Sequence, residues 1–147
     1  MILSFVYAFL STIGFSVLFN IPRREMIFTG ICGGLGWLAY DSLALMGVSV
    51  VFSSFLGALV VSILAEILAK LRKKPATIFV VPGIIPLVPG YALYFSMLKI
   101  IEENYAEASR VGFEALIISV MIASAIIIAT SVGRLFKSKN THKKILS

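Results

Sequence analysis

Two carboxylates, Asp41 and Glu66, stand inside otherwise apolar runs, and the stretch VVPGIIPLVPG, Val80 to Gly90, sets three prolines and two glycines among aliphatic residues. In a membrane, an ionisable group at a helix centre costs about 2.5 to 3.5 kcal/mol on insertion scales, so it marks a proton relay, a substrate contact or a pairing. Asp41 is a short side chain that reaches an interface poorly, which makes it a candidate for proton relay or substrate contact. Glu66 lies one turn before Lys70, so an i,i+4 pair competes with a proton-coupling role. Lys99 is within reach of Glu102 and Glu103, and Glu114 of Arg110; both sets read as anchors at the outer interface.

The conventional catalytic sets are missing from the sequence. One histidine, His142, and one cysteine, Cys32, cannot supply a Ser/His/Asp or Cys/His constellation or a metal-ligand cluster. GICGGLG, Gly30 to Gly36, lacks the Lys-Ser/Thr ending of a phosphate loop. No enzyme, metal site or cofactor is expected.

The proline-glycine stretch raises a backbone question instead. A proline inside a helix removes a hydrogen bond and clashes with the preceding turn at a cost of about 3 kcal/mol, so Pro82, Pro86 and Pro89 exclude an ideal helix. In hydrocarbon a non-helical backbone must be enclosed by protein or line a watery cavity. Two readings stay open. In one, the prolines form a cytoplasmic entry loop and a helix starts at Pro89. In the other, a helix is broken at depth, and free N–H groups of Gly90 and Tyr91 hold a carboxylate, with the hydroxyls of Tyr91 and Tyr94 flanking it. Gly83 belongs to the same motif.

These residues need elements to position them. The chain has 147 residues, 59% apolar and 14% charged, with a mean hydropathy of +1.02, far oilier than a soluble domain. A bilayer core about 30 Å thick takes about 20 helical residues, so an all-α polytopic membrane protein with about five spans is expected. Apolar runs place the spans near residues 2–20, 27–46, 49–69, 78–101 and 111–136, followed by a basic tail, 137–147. The first run has no basic segment before it and no small-residue cleavage site after it, and so reads as a retained span. Arg23 and Arg24 follow it, which puts the N-terminus outside. Lys70, Arg72, Lys73, Lys74 and the basic tail then fall in the cytoplasm, and EENYAEASR, Glu102 to Arg110, falls outside. The pI near 9.7 is thereby explained by topology, and nucleic-acid binding loses its support.

Helices in lipid associate through small residues and a few polar contacts. Ser4, Ala8, Thr12, Ser16 and Asn20 recur every four residues in the first span, and Ser54, Ala58, Ser62, Glu66 and Lys70 in the third. Gly30 and Gly34, with Gly33 and Gly36, mark the second, and Ala125, Ala129 and Gly133 the fifth. Tight helix packing is the plain reading; a polar pathway through Ser62 and Glu66 is the sharper one.

PGIIPLVPG followed by YALY, between a basic cytoplasmic loop and a span ending in an acidic outer loop, resembles the small, C-terminal-half component of the threonine/serine exporter family. The resemblance implies proton-driven export of threonine and serine from the bacterial inner membrane. It also implies a partner, a larger membrane subunit, because family members carry about ten spans in one chain or split between two. A two-protein enterobacterial form is linked to succinate export, so the resemblance implies a small amino acid or a dicarboxylate as substrate. Pro82, Gly83, Pro86, Pro89 and Gly90 match the family motif. An odd number of spans agrees with inverted halves meeting at a substrate site. The alternatives are a homo-oligomeric channel and a structural subunit without a site of its own.

Overall fold

The computed structural model describes residues 1–145, with side chains described through Gly133. Among the described residues the chain is all helical and contains no strand. Its helices are α1 (Ile2–Leu18), α2 (Arg23–Leu45), α3 (Val50–Arg72), α4 (Thr77–Ile84), α5 (Gly90–Ile101) and α6 (Tyr105–Ile145), with a 3-10 turn, Ile85–Leu87, between α4 and α5.

Left-handed residues stop several of these helices. Asn20 (φ 56°), Gly47 (φ 82°), Lys73 (φ 52°) and Glu103 (φ 59°) follow α1, α2, α3 and α5. That conformation reverses the chain while keeping the last carbonyls bonded; the Lys74 N–H, for example, donates to the Ala69 carbonyl. Ser49 opens α3 by accepting the Phe52 N–H at 3.4 Å. The turns are short, so α1, α2 and α3 pack as consecutive neighbours, as do α5 and α6.

The largest difference from the expected boundaries is at α6, which runs from Tyr105 through Ile145 and so takes in much of the expected basic tail as well. The acidic segment Glu102 to Arg110 is not an extended outer loop: α6 begins at Tyr105 and absorbs most of it. The expected Glu114–Arg110 pair is replaced accordingly, since Arg110 faces Glu107 one turn earlier at 3.9 Å. Lys99 does pair with Glu102, at 2.7 Å.

By length and apolarity alone, α3 and the Tyr105–Gly133 part of α6 can each cross a membrane. The segments Thr77–Leu87 and Gly90–Ile101 add a third span if their 50° bend is one broken crossing. At 17 residues α1 is apolar but short, and in α2 the glycines, Asp41 and Ser42 dilute the apolar character.

The helices form a row, α1–α2–α3–α6–α5, with α4 laid across α2 and α3. The two halves of the broken segment therefore have different neighbours: α4 sits in the middle of the molecule, and α5 packs on α6 alone among the described elements. Ala58, Val61, Leu87, Ile118, Ile122 and Ala125 form one core cluster, and Cys32, Ala65, Phe79 and Val80 another.

Small residues set the helix spacing, as the sequence pattern expects. A Cβ on Gly30 would lie 2.8 Å from the Phe9 ring, one on Gly34 2.5 Å from the Phe5 ring, and one on Gly33 would collide with Thr12. On the other face of α2, a Cβ at Gly57 would come within 2.9 Å of the Gly36 carbonyl oxygen, so backbone meets backbone between α2 and α3. Buried hydroxyls in these seams turn back on their own helices: Thr12 donates to Ala8, Ser16 to Thr12, Thr29 to Glu25 and Ser62 to Ala58 at 2.7 to 2.9 Å. Ser62 is thus committed to its own backbone and does not extend a polar pathway from Glu66. Ser53 differs, being buried with its hydroxyl unpartnered among the described residues.

Gly33→Ala is expected to destabilise the detergent-solubilised protein by about 1 to 3 kcal/mol through overpacking, with partial recovery in Gly33→Ala/Thr12→Ala. Gly14→Ala, where nothing lies within 4 Å, should be neutral or stabilising. Thermal unfolding of the three variants measures both effects.

Candidate functional site: a broken helix beside a hydroxyl-lined cleft

The break is assembled one residue at a time. Pro82 sits inside α4, fully buried, where the short helix tolerates it because only the bond to the Ile78 carbonyl is forfeited. The expectation that no helix passes through the prolines therefore fails at Pro82 and holds at the next two. Gly83 is also buried, and a Cβ there would lie 2.9 Å from Val61 Cγ1 and 3.7 Å from Cys32 Cβ. It lets α4 approach α2 and α3. Pro86 sits in the 3-10 turn. Val88 is extended (φ −62°, ψ 134°), the conformation that a following proline favours. Pro89 (φ −75°, ψ 54°) then centres an inverse γ-turn, in which the Gly90 N–H donates to the Val88 carbonyl at 2.7 Å.

That hydrogen bond corrects one expectation. The Gly90 N–H is not a free donor for a carboxylate, because the γ-turn has used it. Pro89 precedes α5 as its cap and does not begin it. Tyr91 and Tyr94 follow the break on α5, where they are 77% and 65% exposed, and Tyr91 stacks on Phe95 with ring centroids 5.8 Å apart.

Beside the break lies a cleft of about 350 Å³, lined by Ser4, Tyr7, Ala8 and Ser11 of α1, Trp37 of α2 and Pro86. It is mostly apolar and open on one side, and none of its lining residues is charged. Of the residues expected to form a site, Pro86 alone borders it. Asp41 is half-buried near the end of α2 and Glu66 half-buried on α3; neither lines the cleft. The expected Glu66–Lys70 pair is not formed among the described residues. The Glu66 carboxylate instead lies against α6, where a Cβ on Gly133 would come within 2.7 Å of Oε2. His142 lies outside the residues with described side chains.

Tyr7, Ser11 and Trp37 had no place in the sequence-based site. Ser4, Tyr7 and Ser11 stand at i, i+3 and i+7, one face of α1, and that spacing was the available signal. The α1 hydroxyls divide by face: Thr12 and Ser16 are buried and bonded to the preceding turn, whereas Ser4, Tyr7 and Ser11 line the cleft.

At one end of the bundle, Glu25 in the first turn of α2 is 4% exposed and receives Arg72 in a two-pronged bond, Nε at 2.9 Å and Nη2 at 3.0 Å. The guanidinium also lies 4.5 Å from the Phe28 ring centre. The Arg72 hydrogen bond holds the Glu25 carboxyl below the usual carboxylate range and outweighs the upward push of burial. Arg72 was expected only as a topogenic charge. Here it ties the start of α2 to the end of α3, just before α4.

An apolar chain, all helical among the described residues, with a bent helix pair beside a cleft has the makings of a membrane transport component. The comparisons with known proteins are specific about which: the family model described as "Threonine/Serine exporter, ThrE" matches residues 4–132, and the chain belongs to the threonine/serine exporter family. An uncharacterized protein of Haemophilus influenzae is 27% identical over 128 residues, covering 87% of this chain and 43% of the relative. The chain thus spans less than half the length of that relative. No solved structure matches.

Arg72→Ala leaves a buried carboxylate without its counter-charge, so it should lower the melting temperature in detergent more than Glu25→Gln/Arg72→Ala does. Equal losses would show that Glu25 is hydrated. In the wild type, the pair's contribution is complete above the ordinary carboxylate value of 4.5 and disappears as pH falls through the lower folded value.

Proposed function

We propose that this chain is one half of a secondary-active exporter of small carboxylate-bearing metabolites of the threonine/serine type. It works in the bacterial inner membrane with a larger membrane subunit and is coupled to protons through Asp41 or Glu66. The observation that carries the reading is the broken crossing at Ile85–Gly90, opening beside a cleft, in a chain matched to an exporter family across residues 4–132.

On this reading the crossings number five: α1, α2, α3, the bent α4–α5 pair and α6, with the N-terminus outside. The Glu25–Arg72 bond supports the orientation, because it gathers Arg23, Arg24, Lys70 and Lys74 at one end of the bundle, where the positive-inside rule wants them together. An odd count permits a second, inverted half to complete the site. The relative's greater length is in keeping with a larger whole. Val88 and Gly90 are exposed on this chain, and at membrane depth a backbone break needs protein or water over it.

The substrate arms are separable. A dicarboxylate is charged at both ends, whereas threonine and serine have an uncharged, hydroxyl-bearing end that suits a lining without charge, so threonine or serine is the favoured cargo over succinate. Vesicles holding this chain and its co-purified partner should release labelled threonine faster than labelled succinate when a proton gradient is imposed. Faster succinate release would reverse the assignment. A tagged chain in mild detergent should bring the larger subunit with it, whereas transport by the chain alone would establish a homo-oligomer. Asp41→Asn or Glu66→Gln should abolish gradient-driven efflux at normal expression, and unchanged efflux in both removes them from coupling.

A further inference from the structure

We propose that the α1–α2–Pro86 cleft is the subsite that takes the uncharged, hydroxyl-bearing end of the transported solute, with Tyr7 and Ser11 as its hydrogen-bonding groups. The inference rests on the exporter reading and deepens it by locating the side-chain pocket.

Three features of the cleft point the same way. Its volume of about 350 Å³ is at the small end of ligand pockets, which begin at about 300 Å³. Its lining residues that carry polar groups are Ser4, Tyr7, Ser11 and Trp37, none of them charged, and Ala8 and Pro86 are apolar. That combination suits a hydroxyl on a short carbon stem and offers no counter-charge to an ammonium or carboxylate. Finally, the hydroxyls of Ser4, Tyr7 and Ser11 have no hydrogen-bond partner among the described residues, whereas those of Thr12 and Ser16, on the adjoining buried part of the same helix, donate to the preceding turn. Hydroxyls facing lipid would lack partners throughout; a polar solute supplies them.

Position links the cleft to transport. Pro86 stands in the 3-10 turn between α4 and α5, so a solute in the cleft touches the point where the crossing changes direction. Ala8, next to Tyr7 on the same turn of α1, is buried at the cleft wall. The solute's charged groups then extend toward the open side, where the second half of the exporter is placed.

A site that bonds a substrate hydroxyl discriminates against the analogue lacking it, which gives a test independent of overall activity. Valine replaces the threonine hydroxyl with a methyl group at nearly the same volume. In vesicles containing the chain and its partner, wild-type efflux should favour threonine over valine, and Tyr7→Phe or Ser11→Ala should each reduce that preference about fivefold to tenfold. The chain's single cysteine, Cys32, is fully buried, so Ser11→Cys introduces the one accessible thiol of this subunit. Threonine should slow its labelling by a small maleimide, and valine should not. Threonine efflux with an unchanged preference in Tyr7→Phe and unprotected labelling in Ser11→Cys would overturn the subsite and leave the exporter reading intact. Absence of threonine efflux in the wild type would overturn the exporter reading, and the subsite with it.

Discussion

Every polar backbone group in a bilayer core has to find its partner within the protein, and this rule governs the rest of the structure. It explains why the buried seams look as they do. Thr12, Ser16, Thr29 and Ser62 donate back to the preceding turn of their own helices; each becomes, in effect, a slightly larger alanine. Helix contacts can then close through Gly33, Gly36, Gly57 and Gly83 without stranding these donors, Ser53 being the exception among the described residues. The same rule shapes the break. Pro82, Pro86 and Pro89 have no N–H, while the Val88 and Gly90 N–H groups are taken by the Ile85 and Val88 carbonyls at 3.1 and 2.7 Å. A segment rich in proline thus interrupts a helix while leaving few donors to satisfy. What it leaves are carbonyl oxygens, so the break is acceptor-rich. An anion held by its amides, the expectation from helix-dipole reasoning, has lost the first of the donors it required.

Much of this was legible in the sequence because its signals were local. The fourfold spacing of Ala8, Thr12 and Ser16 encodes a buried face within one helix, and all three are buried. Gly30, Gly33 and Gly34 announce a close approach, and the prolines announce a bend. The pairing of Arg72 with Glu25 was not legible, since the residues are 47 apart in sequence and either one, taken alone, reads as a boundary charge. The cleft was half legible. Ser4 stood in a recognised stripe, but Tyr7 and Ser11 lie on the face that the stripe argument assigns to lipid. Trp37 gained meaning only once α2 brought it alongside α1 and Pro86.

The two halves of the broken segment explain why the prolines and tyrosines of the motif parted company. Because α4 is held by α2 and α3 while α5 rests on α6 alone, the 50° bend carries Tyr91 and Tyr94 away from the core. Sequence adjacency across Val88–Gly90 suggested one site. The backbone turns there, so residues on either side of it serve different surfaces. Pro86, before the turn, faces α1; Tyr91, after it, faces outward.

The proposal that this chain is one half of an exporter also gives a physical reason for a second half. A free amino acid carries an ammonium and a carboxylate, and removing either from water without a counter-charge is far more costly than leaving a hydroxyl unbonded. The cleft lining offers hydroxyls and an indole but no charge, and the nearest obvious donor array, the start of α5, has already used the Gly90 N–H. On the exporter reading, this chain can read the side chain of a hydroxy amino acid and cannot by itself stabilise its charged backbone. The groups that do so must face the cleft from its open side. On the same reading, recognition is divided between two halves: one reads what distinguishes the solute, and the other supplies the charges common to all amino acids.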